Sequence, residues 1–266
     1  MKRLLFALFL TPLLLAAKPF PTSDQWQVYA GGEGPGAGKR GVLVRGDAEY
    51  RTEQTHPPMA KLLAKRQGFE TVELFAQDPE ALGIINPNYT SNIPGLEALR
   101  DADLMIIATR FRDLPDDQMK EVDDYLKSGR PVIGLRTATH AFNFPAESKW
   151  AHYSFNYQGD KSAWEGGFGQ AILGTSWVAH HGWHKKESAR GIIKDAHTIT
   201  RGIESGSIWS AADVYTVRDP LGADAVPVVY GEVLTGMNPD DEPIGPGPYE
   251  YTPRFAKENP DFHKND

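Results

Sequence analysis

Three groups of residues in this chain could do chemistry. The first is Gly134-Leu135-Arg136-Thr137-Ala138-Thr139-His140-Ala141-Phe142, which follows a short apolar run. A sharp turn there would present Arg136 or Thr137 where other α/β enzymes place a nucleophile. Arg136 would be a charge-assisted donor to an anion or a sugar hydroxyl, and His140 a proton carrier. The alternative is a Thr-rich turn whose hydroxyls cap the next segment. The second group is His180-His181-Gly182-Trp183-His184, three of the eight histidines within one short stretch. Imidazoles are common metal ligands, so a divalent cation is the cofactor this group would imply. The spacing matches the zincin histidine pair, but His181 stands where that motif requires Glu, and Gly182 opposes a helix. On a strand, His180 and His181 would point to opposite faces and could not share one ion. Metal-free catalytic, sugar-binding and purely structural histidines therefore stay open as readings.

The third group joins Gly46-Asp47-Ala48-Glu49-Tyr50-Arg51 to Arg110-Phe111-Arg112-Asp113. Carboxylates and guanidinium groups at one rim suit a polyhydroxylated or acidic small ligand, or else neutralise one another as a surface ion network. Aromatic residues crowd the chain further on, at Trp150, Tyr153, Phe155, Tyr157, Trp164, Phe168, Trp177 and Trp183. Their faces could stack on sugar rings, although most aromatic side chains serve the core.

The elements that must position these groups follow from hydrophobic periodicity. Gly41 to Gly46, Phe69 to Phe75, Leu104 to Ala108 and Pro131 to Leu135 read as strands, the second by alternation and the others as buried runs. Between them, Met59, Leu62 and Leu63 mark one face of a helix ended by Gly68. Leu96 and Leu99 suggest a short helix, and Pro115 opens another with Met119, Val122 and Leu126 as its stripe, closed by Gly129. Strand and helix alternating in this way predict a doubly wound, mainly parallel α/β sheet with right-handed crossovers. Ligands of such sheets bind beyond the carboxyl ends of the strands. That rule selects the loops Asp47–Arg51, Arg110–Asp113 and Arg136–Phe144, which are the loops holding two of the three chemical groups. Further on, Gly166 to Gly169 predicts a turn into a short helix over Gln170 to Leu173. Ser176 to His181, Ile208 to Val217 and Val226 to Val233 predict strands.

Composition bounds the function. With no cysteine in 266 residues, disulfides, Cys-ligated metals and thiol nucleophiles are excluded. A net charge of −7 argues against nucleic acid as a partner. Met1-Lys2-Arg3, the apolar run Leu4 to Leu15 and Ala16-Ala17 have the form of a signal peptide over residues 1–17. The run is shorter than the roughly 20 residues that span a bilayer. Export to a bacterial periplasm or beyond, with no stable membrane insertion after cleavage, is the expectation. Residues 18–40 read as an arm or linker. Their run Gly32-Glu33-Gly34-Pro35-Gly36-Ala37-Gly38-Lys39-Arg40 fails as a phosphate loop: Glu33 displaces the first glycine, Arg40 replaces Ser or Thr, and the run precedes a strand. Residues 41–238 form the expected domain, and residues 239–266 a polar tail.

Gly-Asp-Ala-Glu-Tyr-Arg after the first strand, Arg-Phe-Arg-Asp-Leu-Pro after the third, Gly-Leu-Arg-Thr-Ala-Thr-His-Ala-Phe-Asn after the fourth, and Trp164-Glu165-Gly166-Gly167-Phe168-Gly169 with Leu173-Gly174-Thr175-Ser176-Trp177-Val178-Ala179-His180-His181-Gly182-Trp183-His184 occur in order. Together they resemble the exported trehalose-utilisation (ThuA-like) family over roughly residues 41–238. The resemblance implies a three-layer, flavodoxin-like fold of the class I glutamine amidotransferase-like superfamily. It also implies a role in disaccharide or keto-sugar metabolism, with a small-molecule carbohydrate as partner. Amidotransferases of the superfamily carry a cysteine in a Gly-x-Cys-x-Gly elbow, and the comparable stretch here is Gly134-Leu135-Arg136-Thr137-Ala138, so thiol chemistry is absent. Carried over residue by residue, the motifs single out Glu49, Tyr50, Arg110, Arg112, Arg136, Thr137, His140, His181 and His184. The family continues into a further strand and a closing helix, in whose place this sequence has its polar tail.

In an enzymatic reading, His140 or His181 moves a proton while Arg136 and Arg112 stabilise developing negative charge; Arg136, Thr137, His140 and His181 are then catalytic. Glu49, Tyr50, Arg110, Arg112 and His184 bind the substrate. Two rivals belong to other classes: a non-catalytic sugar-binding or envelope interaction module, and a metal-dependent hydrolase built on His180, His181 and His184.

Overall fold

The structure is a computed structural model that describes residues 19–183, 185–218 and 220–244. In chain order its main elements are β1 (Trp26–Tyr29), β2 (Arg40–Gly46), α1 (Thr52–Thr55), α2 (Pro57–Gln67), β3 (Glu70–Phe75), β4 (Leu104–Thr109), α3 (Asp116–Lys127) and β5 (Val132–Gly134). They continue with α4 (Gly167–Leu173), β6 (Trp177–His181), β7 (Ala189–Ile192), β8 (Ile208–Ser210), β9 (Val214–Val217) and β10 (Tyr230–Val233). Short 3-10 turns cover Leu96–Asp101 and Arg136–His140. The architecture is mixed α/β around a mainly parallel five-stranded sheet of order β1-β3-β2-β4-β5. β2, β3, β4 and β5 pair in parallel, and β1 joins β3 antiparallel at the edge.

Alternation along β2 sends its side chains to two cores. Val42 and Val44 pack with Met105, Ile107, Met119 and Val122, the last two from α3. Leu43 points the other way, with Ala60 of α2 and Ile106. Covering both faces buries the whole of β2, as expected where crossovers place helices on a parallel sheet. The same cover explains why β3 departs from the alternating pattern its sequence suggests. Thr71 and Glu73 are as buried as their apolar neighbours. The Thr71 hydroxyl donates to the Ala60 carbonyl, and Glu73 pairs with Arg45 at 3.2 Å.

Four other expectations are corrected. On α2, Ala60 and Ala64 are the buried residues, whereas Met59 and Leu63 pack only in part and Leu62 is 56% exposed. The helix approaches the sheet closely, and small residues permit that. Its end is as expected: Gly68 adopts φ 85° and its N–H returns to Ala64, a left-handed cap that glycine takes without strain. The arm before β2 is not a free linker, because Trp26–Tyr29 extends the sheet and Phe20 is buried beneath Arg40, whose guanidinium carbon sits 3.8 Å from the ring centroid. Finally, the run Ile208 to Val217 is two strands in different sheets. Ser210 accepts the N–H of Ala212 and turns the chain between them, so β8 joins the sheet β10-β7-β8 and β9 pairs antiparallel with β6. Val226 to Val229 likewise lie outside β10.

The strand order reverses between β2 and β4, so the crevice beyond their carboxyl ends is the place where such a sheet binds ligands. No helix among the described residues is long and apolar enough to cross a membrane. Leu74, fully buried in β3, and Leu62, exposed on α2, should respond oppositely to truncation. Leu74→Ala is expected to lower unfolding free energy by roughly 2–5 kcal/mol, and Leu62→Ala to stay within about 0.5 kcal/mol, both read from urea denaturation.

Candidate functional site

Each of the three loops chosen by the sheet topology passes through a residue in the left-handed region. Arg51 has φ 52°, Phe111 φ 53° and Arg136 φ 43°. None is glycine, and such backbone costs on the order of 1–3 kcal/mol each, persisting where surrounding contacts hold it. Those contacts are specific. Asp47, fully buried after β2, accepts the N–H groups of Glu49 and Tyr50 through Oδ1 and the Thr137 hydroxyl at 2.8 Å through Oδ2. One carboxylate thus shapes its own loop and anchors the turn after β5. The Phe111 N–H donates to the His140 carbonyl and the Arg112 N–H to the Ala141 carbonyl, which seats the loop after β4 against the same turn. α4 presses on it from the other side: a Cβ at Gly169 would meet the Thr139 carbonyl oxygen at 2.3 Å.

Arg136 is the centre of the site. Its Nη1 donates to the Asp213 carbonyl at 2.5 Å, and its Nη2 to Asp213 Oδ1 at 2.6 Å and to the Tyr50 hydroxyl at 2.7 Å. Its guanidinium carbon lies 3.8 Å from the Tyr215 ring centroid, a cation–π contact. Asp213 sits just before β9 with its side chain wholly buried, and its Oδ2 is 2.6 Å from His180 Nδ1. A carboxylate only accepts, so His180 donates from Nδ1 and Nε2 becomes its basic nitrogen. Burial works against the charge on Arg136, yet Tyr215, Tyr50 and Asp213 hold its pKa above the ordinary value. At the rim, Glu49 Oε2 pairs with Arg110 Nε at 3.2 Å.

His140 lies under this cluster. Its ring centroid is 5.1 Å from Phe111 and Trp177, and 5.7 Å from Tyr215. Burial, followed by the charges of Arg110, His180 and Arg136, pushes its pKa down to about 3. At neutral pH it is an uncharged member of an aromatic wall, a poorer proton carrier than its place in the sequence suggests. Arg112 is likewise in a different role from the expected one. It is buried, and its three guanidinium nitrogens donate to the carbonyls of Arg110, Tyr89 and Pro87. Those bonds make it a clamp on the loops. Thr137 is fully buried on Asp47 and also serves the scaffold.

The histidine stretch divides as strand geometry requires. His180 faces Asp213, while His181 lines a cleft of about 800 Å³ together with Tyr215, Thr216, Arg218 and Tyr230. His184 lies outside the described residues, as do the signal-like segment and most of the polar tail. Among the described residues, no group of three His, Asp or Glu side chains is placed to hold a metal ion. The structure brings together Glu49, Tyr50, Arg110, Arg136 and His180. It adds Asp213 and Tyr215, which periodicity had absorbed into one long strand. The available signal was an acidic residue inside an otherwise apolar strand pattern. No family model matches the chain, and the curated proteins contain no match to it.

Removing the Asp213 carboxylate leaves Arg136 and His180 without their shared acceptor. Asp213→Ala is expected to cost on the order of 3 kcal/mol, measured by urea unfolding. The lowered pKa of His140 also sets a pH dependence. Above about pH 6.5 the ring is neutral in folded and unfolded chains, and below it the unfolded chain takes up a proton that the folded chain refuses down to about pH 3. Stability is therefore full above the unfolded pKa and declines as the solution is acidified through that window. Titrating stability from pH 7 to 4 should show a shallower decline for His140→Phe than for the unaltered protein.

Proposed function

We propose that this chain is an exported ThuA-like protein that binds and processes a carbohydrate or keto-sugar derivative at the carboxyl edge of its sheet. The order of its four parallel strands, β3-β2-β4-β5, supports a flavodoxin-like, doubly wound and three-layered fold. The left-handed Arg136 after β5 supports descent from the elbow of the class I glutamine amidotransferase-like superfamily, with an arginine in the cysteine's place. Export rests on the basic and apolar pattern of residues 1–17.

One observation carries the functional reading: a single buried carboxylate, Asp213, orients both a histidine and an arginine, the arginine from the turn after β5 at the carboxyl edge of the sheet. An Asp–His pair fixes the tautomer needed for a general base. The adjacent guanidinium, held charged, stabilises negative charge that develops on a bound oxygen. Aromatic faces at Trp177 and Tyr215 flank the pair and suit the apolar face of a sugar ring. In this reading His180 is the base, replacing His140 and His181, and Glu49 with Arg110 forms a polar rim for hydroxyl groups.

Thermal-shift screening against disaccharides and 3-keto sugars tests the reading. A true ligand at about 100 times its Kd should stabilise the fold by about 2.7 kcal/mol, and Arg136→Ala should abolish that shift. Binding that survives in His180→Gln while turnover is lost would fit the catalytic role. Binding without any turnover in the unaltered protein would identify a sugar-binding module, and no shift with any sugar would refute the proposal.

A further inference from the structure

We infer that a cleft formed by residues 143–161 is a second binding site, for a phosphate group, with Lys161 as its anchoring cation. The site shares no residue with the cluster around Arg136 and Asp213 and goes beyond the function proposed above. The cleft measures about 730 Å³, within the range of small-molecule pockets. Two cations line it, Lys149 and Lys161, against a single carboxylate, Asp160. Asp160 Oδ1 accepts the Tyr157 hydroxyl at 2.9 Å, and Lys149 pairs at 2.7 Å with Asp116, which lies outside the lining. Lys161 forms no ion pair among the described residues. In a chain of net charge −7, that leaves a cation facing the cleft with its charge uncompensated.

Lys161 differs from an ordinary surface lysine in that its head group is held. Its Nζ lies 3.1 Å from His152 Nδ1. An ammonium only donates, so Nδ1 is the acceptor and the imidazole is neutral. His152 is itself buried, and its ring packs on Tyr153 and Trp164 with centroids 4.7 and 4.8 Å away. Burial, followed by the Lys161 charge, holds its pKa below the ordinary imidazole value, so the acceptor persists at neutral pH. The backbone of Lys161 is held as well. Its N–H donates to the Tyr157 hydroxyl at 3.2 Å, and the chain passes so near that a Cβ at Gly159 would meet that oxygen at 2.3 Å. A lysine anchored at both ends has less rotamer freedom to lose on taking up an anion. The lining also selects the anion. Among the described residues no guanidinium lines the cleft, so the planar fork that matches a carboxylate is missing. An ammonium is a point charge of the kind used for phosphate. The side chains of Asn143, Asn156 and Gln158, exposed and without hydrogen bonds among the described residues, add amide donors around the same cleft.

The test is calorimetric titration of the full chain with inorganic phosphate, near neutral pH and at constant ionic strength. Saturable binding is expected, and Lys161→Met should weaken it about tenfold, the loss of one charge-assisted hydrogen bond. Lys161 is exposed, so this variant should keep the fold. His152→Phe retains an aromatic ring but removes the acceptor, and should weaken binding several-fold; an unaltered affinity there overturns the anchoring role of the imidazole. Lys120→Met, which removes an exposed cation of α3 paired with Asp124, should change nothing. Tighter binding of glycerol 3-phosphate than of inorganic phosphate assigns the site to organic phosphates, and the reverse order assigns it to the free ion; either supports the inference. Acetate binding as tight as phosphate overturns the choice of anion. Absence of saturable phosphate binding, an unaltered affinity in Lys161→Met, or an equal loss in Lys120→Met overturns the site.

Discussion

A buried carboxylate shared by an arginine and a histidine joins the halves of this protein. Asp213 arrives on the β6–β9 ribbon, and Arg136 projects from the parallel sheet, so their two-point contact is what sets the ribbon on the sheet edge. A carboxylate taken wholly out of water pays a desolvation cost of several kcal/mol, which only close, well-directed donors offset. Asp213 receives them from Arg136 and from His180. The position of His180 is in turn tied to this requirement, as is the stacking of Arg136 on Tyr215 and its bond to Tyr50.

Strain and burial are distributed around that contact. The loops after β2, β4 and β5 each pass through a left-handed residue that carries a side chain, and each is braced by a buried polar residue. Asp47 braces the first and third by accepting amides and a hydroxyl, and Arg112 braces the second by donating to three carbonyls. Such bracing fixes the directions of Tyr50 and Arg136 to within the tolerance that hydrogen-bond geometry allows. The aromatic wall of Phe111, His140, Trp177 and Tyr215 closes the space beneath. It does so without adding charge, since His140 is neutral there.

Much of the sheet was legible in the chain. Continuous apolar runs such as Leu104 to Ala108 and the 3.6-residue stripe of α3 are patterns that packing respects, and the loops that matter follow from strand order. The site was legible only in part. Arg136, Tyr50, Glu49 and Arg110 lie at strand ends and could be named. Arg112 and Thr137 lie there too, yet face inward, because a residue's direction in an irregular turn depends on hydrogen bonds from other segments. Asp213 and Tyr215 were hidden because a serine-induced turn broke what looked like one strand, and β1 because four residues outside any periodic stretch had β3 as an available edge.

The amino-acid order by itself determined the absence of thiol chemistry, the parallel α/β pattern and the set of loops at its carboxyl edge, since composition and short-range periodicity are local properties. Which side chains meet there was decided only by the tertiary structure. Arg136 and Asp213 are 77 positions apart, Tyr50 and Arg136 are 86, and Asp47 and Thr137 are 90. Contacts over such separations are set by strand order, crossover handedness and the need to neutralise a buried charge, none of which is written in any one segment.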